Sequence, residues 1–490
     1  MKKLKQLKKQ FSEWNPSTYV CILMLTIPFM VYMFSTFRLD NDFSFIINTG
    51  RYILKNGFIT VEPFTIHNGF FFIPQQWLSA VIFYLIYSKL GIVGIIVFEM
   101  LVNSLIIFLL YKIAFLITND KIKSILITIS INIIFHVTGT ITTRPQIFDI
   151  LLLLLQILIL ESYIYKKKYK CLYFLPIISI IFINLHASIW PMMFVFLLPY
   201  YGEYVIKKIK KEETFKIKHL VITTILTGLC GLINPYHIHS VTYLFNSFGI
   251  KEINNYITEM IPITINYFKL YMLIFLGFIL IYKNKGKNQI RYILFFLGTT
   301  YLMLSHLKGS IFFLIGFFLI LCQSFKNKNK KKIKYSTNLK EKLIYIGLFI
   351  MMASIICLNI HYEENKSLVP ILNYLNKNAD KNIKLYTEYD DGGHFEYQGY
   401  KCYIDPRAEV FLKSNNKKED IFKEYYNMKM GLIDTYKFLK KYNFDYLVVN
   451  DSNRFLFKEL KSNSNYKQVV KTTSTYFKEK ETYYLYKRIK

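Results

Sequence analysis

In 490 residues there are six cysteines, scattered so that five lie in or beside apolar stretches and Cys402 alone falls in the carboxy-terminal part. A stapled extracellular scaffold needs cysteines in spaced pairs, so a disulfide framework is not supported. No CxxC, HExxH, phosphate-cradling glycine-rich loop or GxSxG occurs, which removes the usual support for zinc, ATP and serine-hydrolase chemistry. Acidic residues are scarce, 32 against 62 Lys and Arg, for a formal net charge of +30. Such an excess points to nucleic acid when it forms one patch, and here it is spread over separate short loops. The amino-terminal MKKLKQLKK leads into an apolar run as a signal sequence would, but no small-residue cleavage site follows. The segment is expected to stay as an anchor.

What the chain has in quantity is hydrocarbon: 53% of residues are hydrophobic and 18% aromatic. Apolar runs of about 20 residues, enough to cross a bilayer core, recur along the first three quarters. The spacing predicts about eleven spans, over 18–37, 91–117, 124–140, 145–165, 171–185, 190–206, 219–234, 266–282, 290–306, 309–325 and 343–360. With the amino terminus inside, the six inner segments carry 29 Lys and Arg and the five outer ones carry 6. Basic loops resist translocation, so this split sets the orientation. It also bears on residues 76–89, because an extra crossing there would put every later basic loop outside. That segment is therefore expected to be a re-entrant or interfacial helix on the outer face. The basic tract at 326–334 reads as a cytoplasmic loop near anionic lipid rather than a nucleic-acid site.

An odd number of crossings leaves residues 361–490 outside. Their character differs: Ile383 to Tyr386, Tyr400 to Ile404 and Phe444 to Val449 read as short strands, Asp420 to Tyr442 as helical, and the tail from Tyr476 to Tyr486 as further strand. The expected architecture is a polytopic α-helical membrane domain over 1–360, with a first outer loop at 38–76, followed by a small extracytoplasmic α/β domain over 361–490. Asp391-Gly392-Gly393 and Asp405-Pro406-Arg407 mark turns after the first two strands.

Just after the first span, Arg38-Leu39-Asp40-Asn41-Asp42-Phe43 opens a polar and aromatic stretch that runs to Trp77. A carboxylate beside hydrocarbon is tolerated where it faces a wet cavity, a metal or a basic partner. Sorted by side, the outer rim collects Asp40, Asp42, Glu62, His67, His136, Arg144, His186, His237, His239, His306 and Lys308. Each has a plain structural alternative taken alone: Arg144-Pro145 can start a helix, Asn234-Pro235 can end one, and Trp77 and Trp190 can be interfacial anchors. Together they put acidic, basic and imidazole groups on one membrane face. Transfer of a sugar from a polyprenyl phosphate needs such a set. The lipid tail lies between helices, cations or a metal ion stabilise the departing phosphate, and an Asp takes the proton of the attacking hydroxyl, inverting the anomeric centre.

Asp40-Asn41-Asp42-Phe43, Thr49-Gly50-Arg51-Tyr52-Ile53, Gly57-Phe58-Ile59, Glu62-Pro63-Phe64-Thr65 and Gln76-Trp77-Leu78 resemble the first outer loop of bacterial membrane glycosyltransferases of the GT-C superfamily. Arg144-Pro145-Gln146, Asn184-Leu185-His186, Asn234-Pro235-Tyr236 and Tyr403-Ile404-Asp405-Pro406-Arg407 resemble later landmarks of that group, in the same order. The chain departs from the pattern at Ile46, where His is usual, at Ser44 (an aromatic), at Glu62 (Asp) and at Pro406 (Gly). The resemblance implies a GT-C fold, a polyprenyl-phosphate sugar as donor, and a first-loop carboxylate acting as base or as contact to a divalent metal. Carried over by position, it implies Asp42 as base and Asp40 as its partner or metal contact. Arg144, His186 and Lys308 are then expected on the donor phosphate, with Glu62, Trp77 and Arg407 as further substrate contacts. The implied setting is the cytoplasmic membrane, the acceptor an envelope glycan, lipid or protein, with no nucleic acid. Two rival classes stay open. A flippase for a lipid-linked glycan would use Glu99, Asn103, Asp149 and Gln156 deep in the bilayer, and a non-catalytic assembly protein would act through residues 361–490.

Overall fold

The computed structural model describes residues 41–247, 256–285, 289–326, 368–476 and 479–489. They divide into two compact units, a helical one within 92–237 and 257–360 and a mixed one within 37–91, 238–256 and 361–490. The first-loop residues and the segment beginning at Ile238 thus belong with the carboxy-terminal sheet domain.

In the helical unit, three helices among the described residues are long and apolar enough to cross a membrane: Trp77–Thr118, which enters this unit past Gly91, Gln146–Lys166 and Leu307–Ser324. Tyr169–Leu185, Ile217–Cys230 and Ile290–Ser305 are apolar but shorter. The expectation of about eleven full spans is corrected accordingly. The runs 18–37 and 343–360 lie outside the described residues, and several others end early for identifiable reasons. The run 190–206 breaks into Met192–Val195 and Leu198–Ile209 around Pro191 and Pro199, because proline supplies no backbone N–H and its ring crowds the preceding turn. The run 171–185 begins as a 3₁₀ turn, Tyr169–Phe174, before Leu175–Leu185 continues as α-helix.

Trp77–Thr118 is continuous by hydrogen bonding, but Gly91 adopts φ 60° and ψ −155° inside it. A left-handed φ costs glycine little and a side-chain-bearing residue much more. The break falls between the expected segments 76–89 and 91–117, and it coincides with the boundary of the two units.

One ionic knot joins three helices of this unit. Arg291, the second residue of Ile290–Ser305, is 1% exposed. Its Nε and Nη2 donate to Glu161 at 3.0 and 2.9 Å, and its Nη1 and backbone N–H donate to Glu203 at 3.0 and 2.9 Å. Tyr200 and Tyr292 hydroxyls each add a 2.7 Å bond to Glu161, and Lys207 reaches Glu203 at 2.9 Å. Two carboxylates are thereby matched by two cations. Arg291 falls at the start of the expected span 290–306, and packing places it inside, where a charge must be paired.

The mixed unit is built on a five-stranded sheet of order β2-β1-β3-β5-β4, with β1 Lys384–Tyr386, β2 Lys401–Cys402, β3 Tyr446–Asn450, β4 Tyr466–Tyr476 and β5 Glu479–Arg488. β1 pairs in parallel with β2 and β3, and β5 pairs antiparallel with β3 and β4. Leu385, Tyr446, Val448, Tyr483 and Leu485 pack with Ile371, Leu375 and Phe395 into one core. β4 is absent from the sequence reading because KQVVKTTSTY is too polar to announce a strand. The expected helix over 420–442 is two helices, Ile421–Lys429 and Thr435–Tyr442. Gly431 at φ 74° ends the first, and Asp434 caps the second by accepting from Tyr436 N–H at 2.9 Å.

The first-loop stretch carries a helix, Asn41–Asn56, that packs against Gly392–Tyr397. Phe43, Ile46, Ile47 and Ile53 form its buried stripe. Glycines let two backbones approach. A Cβ on Gly50 would stand 2.1 Å from the Ala80 carbonyl oxygen, and one on Gly392 2.1 Å from that of Ile404. Arg51 Nη2 donates to the Tyr397 carbonyl at 2.7 Å, its guanidinium 4.4 Å from the centre of that residue's ring, and Ser44 meets His394 Nδ1 at 3.0 Å. Ser44 is the residue found where the resembling family has an aromatic, and here its hydroxyl has a use.

Two consequences can be measured by thermal unfolding of the full chain in detergent. Gly50→Ala is expected to destabilise by at least about 1–3 kcal/mol, the range for overpacking, and an unchanged midpoint would show that the helices can separate freely. Arg291→Gln is expected to cost about 3–5 kcal/mol, since it leaves the buried Glu161 without a cation and Glu203 with Lys207 alone.

Candidate functional site

In the mixed unit, Asp42 lies half-buried in the first turn of Asn41–Asn56, where a carboxylate also meets the positive end of the helix dipole. Asp40, its expected partner, lies outside the described residues. Asp42 acts electrostatically on Tyr389, and so does Glu409, a half-buried carboxylate that the sequence reading did not single out. Burial pushes the Tyr389 hydroxyl well above its ordinary range, and these two carboxylates add to the effect. That hydroxyl donates to the Pro406 carbonyl at 2.6 Å. Glu409 left no trace in the sequence, because only folding brings it beside the residues of the first loop.

Glu409 borders two cavities. One, of about 20 Å³, is lined by Phe45, Ile46, Thr49, Phe72, Gln76 and Arg407, enough for a single water. The other is an open cleft of about 690 Å³ walled by Phe71, Phe72, His239, Tyr243, Glu409, Asn415 and Lys417, within the range of small-molecule sites. Tyr243 donates to Glu409 at 2.8 Å, and His239 stands edge-on to Phe71 at 5.7 Å. Ile46, where the family has His, is 1% exposed on the wall of the smaller cavity.

Arg407 and Glu62, both expected on substrate, are buried at 2% and 4% exposure and bonded to each other at 2.8 Å. Arg407 Nε and backbone N–H also reach Asp405 at 2.9 and 2.8 Å, and its Nη2 contacts the second Asp405 oxygen. Glu62 further accepts from Phe64 N–H, Thr65 N–H and the Thr65 hydroxyl. The guanidinium lies 5.1 and 4.9 Å from the rings of Phe64 and Phe72. Burial works against the charge on Arg407, but Asp405, Glu62 and Glu396 outweigh it and hold the guanidinium above its ordinary value. Glu396 is the surplus acid, 3.6 Å from Nη2. Burial first, then Asp405 and Glu62, push its carboxyl well above the usual range against the pull of Arg407. Trp77 opens its helix with its ring edge-on to Phe58 at 5.2 Å. His67, counted on the outer rim, is packed between Phe70 and Tyr403 with Nε2 2.8 Å from the Tyr403 carbonyl.

The donor-side candidates belong to the helical unit. Arg144 donates to Glu259 at 2.6 Å, and Lys308 acts on the same carboxylate. His186 caps Leu175–Leu185 and is 2% exposed, with Nδ1 2.9 and 2.8 Å from the two oxygens of Asp149. Asp149, read as a deep transport group, is therefore the residue that orients His186. Two of the other deep groups are also engaged: Gln156 with the Met193 carbonyl at 2.7 Å, and Asn103 with Asn132 and His136 at 2.8 and 2.9 Å. Among the described residues no group of three or more His, Cys, Asp or Glu is arranged to hold a metal ion, and Asp42 is the only described member of the expected pair.

Glu396 supplies a pH signature. Its carboxyl ionises higher in the folded protein than in the unfolded chain, so stability is full below the ordinary carboxylate range and is lost as pH rises above it. Glu396→Gln fixes the neutral form. Its unfolding midpoint should match wild type near pH 4 and exceed it progressively toward pH 7, by up to about 1.4 kcal/mol per pH unit; a gap independent of pH would contradict the assignment.

No family model matches the sequence, and comparison with curated proteins finds no match. Solved structures do match. The apo oligosaccharyltransferase of Archaeoglobus fulgidus aligns with a TM-score of 0.62 at 10% identity, over 90% of this chain and 70% of that one. The same enzyme tethered to an acceptor peptide gives 0.60 at 10% identity over 88% and 69%, and as AglB with an inhibitory peptide and a dolichol-phosphate it gives 0.58 at 10% over 88% and 69%. The chain shares its fold with these archaeal oligosaccharyltransferase structures.

Proposed function

We propose that the protein is a membrane glycosyltransferase that moves a sugar from a polyprenyl-phosphate donor to an acceptor in the cell envelope, on the outer face of the cytoplasmic membrane. The observation that carries this reading is the fold shared with the archaeal oligosaccharyltransferase over 90% of the chain. A fold can host unrelated activities, so the site residues carry the rest. The neighbour structures bind dolichol-phosphate and an acceptor peptide, which favours a lipid phosphate on the donor side and admits a protein among the acceptors.

Asp42 removes the proton from the acceptor hydroxyl as that oxygen attacks the anomeric carbon, and the sugar–phosphate bond breaks on the opposite side with inversion. Asp40 assists it as partner or metal contact; a divalent metal, if bound there, supplies positive charge near the acidic pair. Arg144, His186 and Lys308 stabilise the phosphate as it departs. The cleft beside Glu409 receives the acceptor, with Phe71 and Tyr243 offering ring faces and Glu409 and Asn415 polar edges. Trp77 contributes an apolar contact. Glu62 and Arg407 serve the substrate side as positioning residues, tying the first-loop segment at Glu62 to Asp405.

The engagement of Asp149, Gln156 and Asn103 with neighbouring groups favours an enzyme over a flippase, which needs a polar path free to bind cargo. Sugar transfer to endogenous acceptor in membranes carrying Asp42→Asn should fall by at least about 100-fold, the usual contribution of a positioned base. Glu409→Gln should chiefly raise the acceptor KM. Undiminished transfer by Asp42→Asn would remove it as the base, and full function with both changes would favour the non-catalytic assembly reading.

A further inference from the structure

Three charged groups meet in the helical unit from segments far apart in sequence. Arg144 stands two residues before Gln146–Lys166, Glu259 lies on the 3₁₀ turn Thr258–Met260, and Lys308 on the 3₁₀ turn Leu307–Gly309. The two turns are held side by side by a 3.0 Å bond from Leu307 N–H to the Ile261 carbonyl. Arg144 Nη1 donates to Glu259 at 2.6 Å. Burial raises the Glu259 carboxyl, but Arg144 and then Lys308, with the hydrogen bond, outweigh it and hold it below its ordinary value.

The order of exposure is informative. The Arg144 side chain is 18% exposed and that of Glu259 43%, so the cation lies deeper and the carboxylate covers it. Among the described residues, Arg144 and Lys308 both act on this one carboxylate. A guanidinium with a neighbouring ammonium suits phosphate, which offers more acceptor oxygens and more charge than a carboxylate. Solvent reaches the Glu259 side of this pair and weakens it, so a phosphate can displace the carboxylate.

We propose that Arg144 and Lys308 form a phosphate-monoester subsite and that the Glu259 carboxylate is its resident counter-ion, displaced when a lipid phosphate binds. This rests on the donor-side reading above and adds to it a competitor supplied by the chain itself. The competitor sets affinity for the departing polyprenyl phosphate, the monoester that the donor's diester becomes as the sugar leaves, because whatever the lipid gains it gains relative to Glu259.

The test is equilibrium binding to the full chain in detergent, with polyprenyl phosphate, the corresponding polyprenol and inorganic phosphate as probes. Wild type should bind polyprenyl phosphate and not polyprenol, Arg144→Gln should weaken binding at least about tenfold, and both Glu259→Gln and Glu259→Ala should tighten it about tenfold. Unfolding midpoints near wild type establish that the variants are folded. Binding by wild type that Glu259→Gln and Glu259→Ala leave unchanged or weaken overturns the counter-ion, while the donor reading stands. No binding of polyprenyl phosphate by wild type or by either Glu259 variant overturns the subsite and the donor reading together. Tightening for inorganic phosphate but not for polyprenyl phosphate overturns the lipid as the source of the phosphate.

Discussion

The mixed unit depends on a single buried guanidinium. Arg407 gathers Asp405 from its own chain segment, Glu62 from the first loop and Glu396 from the helix Gly392–Tyr397. Isolated, such a charge would cost several kcal/mol to bury; surrounded by carboxylates and flanked by Phe64 and Phe72 it is stable, and it fixes which parts of the chain must meet. The parallel bridge between Thr65 and Cys402 and the contact of Asn41–Asn56 with Gly392–Tyr397 follow from the same docking. The helical unit uses the same device, with Arg291 between Glu161 and Glu203. In both, buried ions do what apolar side chains do poorly: they specify one partner rather than any greasy surface.

This division of labour clarifies the motifs. Asp-Pro-Arg at 405–407 reads in the sequence as a substrate-facing landmark, and Thr-Gly-Arg at 49–51 as part of a catalytic loop. In the structure Gly50 makes room for the Ala80 carbonyl, Arg51 holds Tyr397, and Arg407 anchors Glu62. Much of the motif pattern thus builds the platform for Asp42 and for the cleft that Glu409 borders. Among the described residues, Asp42, Trp77, Glu409, Arg144, Lys308 and Glu259 keep part of their surface exposed.

Legibility varied with the kind of interaction involved. Strands β1, β2 and β3 were visible because β-branched and aromatic residues cluster there, and the helix Gln146–Lys166 because its apolar run is long. β4 was not visible, since its side chains are mostly polar and its pairing with β5 supplies the order. The amphipathic stripe of Asn41–Asn56, with Phe43, Ile46, Ile47 and Ile53, was present in the sequence but masked by the polar residues between. The helix 420–442 was overextended past Gly431, whose positive φ is a property of the folded turn.

By itself the sequence determined that the chain is rich in apolar helices, that its basic residues fall in separate loops, that a small α/β domain follows, and that a carboxylate stands at the start of the first loop. These are matters of composition and periodicity, which act along the chain. Only the tertiary structure decided that Glu62 and Arg407 are spent on each other, that Asp149 orients His186, that Arg291 is internal, and that Glu259 covers Arg144. Those outcomes turn on pairing between residues tens to hundreds of positions apart, where burial makes each charge seek a partner and the chain's order says nothing about which one it finds.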